Sequence, residues 1–153
     1  MTETIRIQNI QNYIIEYING DLILTPKQQQ PIYITEDELM LTSVSGSSIL
    51  ECNIKNVECF PISSKRNKYA PILIDIFEMM DPITIIKEST FNFKLTDEDG
   101  LHGYHWYPCL KLSIQSKCAN DTLKEIIRMV KFNKYTIQIS IKLETDEIIH
   151  FKI

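Results

Sequence analysis

Between Thr136 and Leu143 every second residue is aliphatic: Ile137, Ile139, Ile141 and Leu143 alternate with Thr136, Gln138, Ser140 and Lys142. A period of two sends neighbouring side chains to opposite faces, so the segment fits a strand with one buried face. The alternation recurs at Leu50, Cys52 and Ile54 against Glu51, Asn53 and Lys55. It recurs again at Ile72, Ile74 and Ile76, at Phe91, Phe93 and Leu95, and at Leu110, Leu112 and Ile114. A chain with this many half-buried strands is built around a sheet.

The turns support that reading. Asn19-Gly20 separates Tyr13–Ile18 from Asp21–Pro26. A two-residue type I′ turn needs positive φ at both positions, which Asn-Gly tolerates, so a hairpin is expected. Its register opposes Tyr17 to Leu22 and Ile15 to Leu24, placing all four on one face, with Glu16, Asp21 and Thr25 on the other. Thr35 and Glu38 have capping-box spacing ahead of Leu39-Met40-Leu41, where one helical turn or a further strand fits equally.

One segment breaks the period. Leu123, Ile126, Ile127 and Val130 fall at i, i+3, i+4 and i+7, the single buried stripe of an amphipathic helix over 121–132. Asn120 or Asp121 suits its N-cap, and Thr122 with Glu125 repeats the capping-box spacing. The expected fold is α+β: a mostly antiparallel, β-rich sheet with this one helix packed on it. The strand–helix–strand piece fits a right-handed crossover. No linker interrupts the 153 residues, so residues 1–153 read as a single domain.

Net charge is −4. That disfavours a general nucleic-acid coat or an anionic-membrane binder, which need a basic surface. No apolar run reaches the ~18–20 residues of a membrane helix. Residues 1–7 lack the basic and apolar regions of a signal peptide, which points to the cytoplasm, or to the host cytoplasm for a viral chain. Ile outnumbers Val 27 to 3 and Lys outnumbers Arg 13 to 3, a bias that suits an AT-rich bacterial or viral genome. Cys52, Cys59, Cys109 and Cys118 show no paired-knuckle spacing, so four reduced thiols are expected.

The segment Asp97–Cys109 stands apart. It lies in the isoleucine-free stretch between Ile86 and Ile114, yet holds His102, His105, Tyr104, Tyr107 and the single Trp106. Large amphipathic rings suit a contact surface. In an extended run Tyr104 and Trp106 share one face, while His105 and Tyr107 share the other, so one pair can anchor the core and the other can meet a partner. Glu98 and Asp99 would rim that surface with acid, suited to a basic protein partner. The partner-binding set is therefore Glu98, Asp99, His102, Tyr104, His105, Trp106 and Tyr107.

The leading expectation is a non-catalytic, cofactor-free and metal-free protein-binding module of inhibitor or immunity type. An enzyme with a site around Asp97, His102, His105 and Cys109 is the alternative. His102-x-x-His105 with Cys109 offers three zinc-ligand types but no evident fourth. No Gly-rich phosphate loop and no nucleophile elbow occurs. A third reading, a nucleic-acid-binding accessory protein, rests on Lys124, Arg128 and Lys131 along the helix and on Lys65, Arg66 and Lys68 beside Tyr69.

Overall fold

The computed structural model describes residues 10–27, 31–55, 62–64, 68–97 and 103–153, with residue 10 and residues 62–64 described by their backbone alone. The chain divides into two compact units, Met1–Pro31 and Ile32–Ile153.

The first unit contains the expected hairpin. Strands β1 (Tyr13–Ile18) and β2 (Asp21–Pro26) pair antiparallel, with Tyr17 opposite Leu22 and Ile15 opposite Leu24. Asn19 and Gly20 both take positive φ, 53° and 84°, the type I′ geometry.

The second unit departs from the one-helix sheet expected above. Among the described residues the chain forms four α-helices and three antiparallel sheets, the hairpin being one of the three. Helix α1 (Glu36–Leu41) is the turn initiated by Thr35, whose Oγ1 accepts from Glu38 N at 3.2 Å. It leads to strands β3 (Ser48–Lys55) and β4 (Ile62–Ser64), then helices α2 (Tyr69–Glu78) and α3 (Pro82–Glu88). Three short strands follow, β5 (Phe93–Lys94), β6 (Tyr104–Tyr107) and β7 (Leu112–Gln115). Helix α4 (Ala119–Phe132) and strands β8 (Thr136–Lys142) and β9 (Ile148–Lys152) complete the unit. The larger sheet has the order β4-β3-β8-β9 and the smaller β5-β7-β6. Strands β7 and β8, which flank α4, belong to different sheets, so that piece is not a parallel crossover.

Helix α2 is the main correction. The alternation at Ile72, Ile74 and Ile76 is real, but Leu73 and Phe77 are buried as well. A helix that packs on almost every side loses its polar stripe, and period alone no longer separates it from a buried strand. Ile72 and Ile76, like Leu73 and Phe77, are four apart and stack on one helical face each. Pro71 sits in the first turn, where its missing N–H costs nothing. Helix α3 follows from Asp81, whose carboxylate accepts from Ile83 N at 3.0 Å and Thr84 N at 3.2 Å, with Pro82 in the first turn.

Two smaller shifts are also local. The β3–β8 register slips between Ile49 and Glu51, so Ile49 points inward and Leu50 is 51% exposed. A bulge inserts one residue and reverses the faces before it. Leu95 is exposed rather than continuing the buried face of Phe91 and Phe93, because β5 ends at Lys94.

The core lies between the larger sheet and the helices. Cys52, Ile54, Ile137, Ile139, Ile141 and Phe151 line the inner sheet face. Helix α4 packs on α2 and on β8, burying Leu123, Ile126, Ile127 and Val130. The smaller sheet joins through Leu112 and Ile114, and through Phe93, whose ring meets Phe77 edge-on at 6.1 Å. No helix of the described residues is long and apolar enough to cross a membrane.

Candidate functional site

Strand β6 carries the aromatic run. Its start is marked by Gly103, in the left-handed region at φ 74°. Tyr104, His105, Trp106 and Tyr107 pair with Gln115, Ile114, Ser113 and Leu112 of β7, while Lys94 of β5 pairs with Ser113 from the other side. Directly opposed residues of an antiparallel pair share a face. One face therefore holds Phe93, Ile114, Leu112, His105 and Tyr107; the other holds Lys94, Gln115, Tyr104 and Trp106.

The first face meets the core. Tyr107 packs against it, beside a cavity of about 80 Å³ shared with Leu73, Phe91 and Ile114. His105 is exposed at the rim, its ring 4.6 Å from that of Tyr107 in an edge-on contact. On the second face Tyr104 and Trp106 are half-buried. Lys94 Nζ sits 4.8 Å from the Tyr104 ring centroid, a cation–π distance. Asn92 Nδ2 donates to Gln115 Oε1 at 2.9 Å, and Ser113, fully buried, donates to the Thr96 carbonyl at 2.7 Å. The chain from Leu95 to Asp97 thereby crosses this face, with Asp97 exposed.

Of the sequence-derived partner set, Tyr104, His105, Trp106 and Tyr107 come together on β6, whereas Glu98, Asp99 and His102 lie outside the described residues. Of the alternative enzyme set, Asp97, His105 and Cys109 are described and His102 is not. Cys109 is exposed, yet local desolvation, followed by a bond and charge from the Glu78 carboxylate, pushes its thiol up. Cys52, Cys109 and Cys118 are free thiols, and Cys59 lies outside the described residues. Among the described residues no group of three His, Cys, Asp or Glu side chains gathers as a metal site.

The basic helix stripe is largely spoken for. Arg128 Nη1 donates to the Glu88 carbonyl and lies 3.7 Å from Glu125 Oε1. Lys131 pairs with Glu36 at 2.5 Å. Lys117 and Lys124 share a cleft of about 370 Å³ with Asp121, so acid and base alternate along its rim. Tyr69, the ring expected beside the Lys65–Lys68 patch, is buried and bonds Ser47 Oγ at 2.7 Å. Lys65 and Arg66 lie outside the described residues.

No family model, curated protein or solved structure gives a significant match to this chain.

The sequence alone did not mark Lys94, Asn92 and Gln115 as neighbours of Tyr104 and Trp106. They reach that face only through the β5-β7-β6 order. The only available hint was the polar half of the Phe91–Leu95 and Leu110–Ile114 alternations.

Proposed function

We propose that the chain is a non-catalytic protein-binding module of inhibitor or immunity type, and that the β6 face holding Tyr104 and Trp106 occupies its partner. The observation that carries this reading is the division of one aromatic run between two faces. Tyr107 packs on the core, while Tyr104 and Trp106 stand on the opposite face with Lys94 and Gln115. An aromatic pair backed by a rigid sheet and ringed by polar groups has the composition of a binding hot spot. Asp97, exposed beside the Thr96 carbonyl that Ser113 holds on this face, gives it an acidic margin, which suits a basic partner. The free thiols suit action in a reducing compartment, the cytoplasm.

The enzyme alternative is less well supported, because local desolvation and the Glu78 carboxylate raise the Cys109 thiol, which lowers its share of nucleophilic thiolate. The nucleic-acid alternative is weakened by the engagement of Arg128 and Lys131 with the chain's own acceptors.

The test is affinity capture from the native cell with the full chain, followed by calorimetry against the captured partner. Trp106→Ala should weaken binding by about 2 kcal/mol or more with little change in thermal stability. Tyr107→Ala should instead lower stability. Equal binding by the wild-type chain and Trp106→Ala would refute the assignment of this face.

A further inference from the structure

The β1–β2 hairpin exposes an unusual amount of apolar surface. Ile14, Ile15, Tyr17, Ile18, Leu22 and Ile23 are between 40% and 76% exposed. Its sheet has only two strands, so among the described residues neither outer edge is paired. A two-stranded hairpin is marginal in water, and independent stability needs more strands.

The type I′ turn determines which groups are left over. Ile18 and Asp21 close the two-residue loop, so the backbone groups of Ile18, Glu16 and Ile14 point toward β2. Lys27 N donates to the Asn12 carbonyl at 2.8 Å, two residues further along the same inward series. The N–H and C=O groups of Tyr13, Ile15 and Tyr17 therefore point outward from β1. On β2 the outward residues are Leu22, Leu24 and Pro26, and Pro26 has no N–H to give.

We propose that β1 pairs antiparallel with β1 of a second copy of this chain, about a twofold axis through Ile15. In that register Ile15 opposes Ile15 of the second copy, and Tyr13 opposes Tyr17. Each of these residues gives and takes one backbone bond. The two hairpins become a four-stranded sheet whose Tyr13, Ile15, Tyr17, Leu22 and Leu24 side chains form one continuous apolar face. Glu16 opposes Ile14 of the second copy, so no two like charges stand directly across the seam. The β1 edge is thus self-complementary in donors, acceptors and apolar side chains, without a like-charge clash, as an isologous contact requires.

Sedimentation of the full chain across micromolar to high-micromolar concentrations tests the proposal. A concentration-dependent dimer is expected. Ile15→Pro removes an outward N–H while sparing the inward ladder, and should raise the dimer dissociation constant at least about tenfold. Ile14→Lys sets a lysine opposite Glu16 of the second copy in this register, and should make dimerisation tighter at low salt than at high salt. A monomer at every concentration would overturn the proposal, including the case where a foreign strand binds β1 instead. A dimer indifferent to Ile15→Pro, or weakened at low salt by Ile14→Lys, would overturn it equally.

Discussion

Glu125 and Thr90 hold the α3–β5 connection onto α4: the Glu125 carboxylate, 2% exposed, accepts from Thr90 Oγ1 at 2.5 Å and from Thr90 N at 3.1 Å. Ser89 Oγ adds a third bond at 2.7 Å. Glu125→Ala leaves these donors without their acceptor. Urea denaturation should show a loss of about 2–3 kcal/mol. A change below about 0.5 kcal/mol would mean that water replaces the carboxylate.

Ile127 lies in the α4 stripe at 2% exposure. Ile127→Asp buries an unpaired charge and should cost about 3–5 kcal/mol by chemical denaturation. A cost near that of an exposed substitution would remove this face of α4 from the core.

Burial, helped by the Asp75 carboxylate, pushes the Cys52 thiol up to about 12. A raised acid is stabilising while it stays neutral. The contribution is full below the ordinary thiol range and is lost as pH rises through about 12. Native protein at neutral pH should label with a thiol reagent at exposed Cys118 and not at Cys52. Cys52→Ala should flatten the alkaline limb of the stability profile; an unchanged limb would contradict the assignment.

Asp81 moves the other way. The Thr84 hydroxyl, then the Thr84 backbone N–H, hold its carboxyl below the ordinary value of 3.8. Its contribution to the start of α3 is present above that value and fades as pH falls through the lowered one. A carboxyl NMR titration should find Asp81 low, and Thr84→Val should move it up. No movement would detach Thr84 from the cap.

Helix α4 ends in a Schellman motif: Tyr135 N donates to the Val130 carbonyl at 2.9 Å and Lys134 N to the Lys131 carbonyl at 3.0 Å. The left-handed residue is Lys134, at φ 58°. Glycine takes that conformation without a Cβ penalty. Lys134→Gly should raise stability by about 0.5–1 kcal/mol in thermal or urea unfolding, and a loss would show that the lysine side chain contributes something the glycine cannot.

What the sequence alone determined was local. Asn19-Gly20 set the hairpin turn and its register, because positive φ at two successive residues is a property of those residues. The Leu123–Val130 stripe revealed α4, because one face of that helix is polar and its period survives. The alternation of β6 also divided Tyr104 and Trp106 from His105 and Tyr107 as the β5-β7-β6 sheet does. Tertiary structure decided the rest. Capping-box spacing pointed Glu125 at its own helix start, yet its acceptors serve Thr90, 35 residues away, and the N-cap is Cys118. Asn120, a candidate cap, accepts from Val44 N instead. Helix α2 is hidden in the sequence because neighbours bury it on nearly every side, and Lys94 joins Tyr104 only by sheet order. Periodicity records whether a segment has a wet side; it carries no record of what covers the dry one.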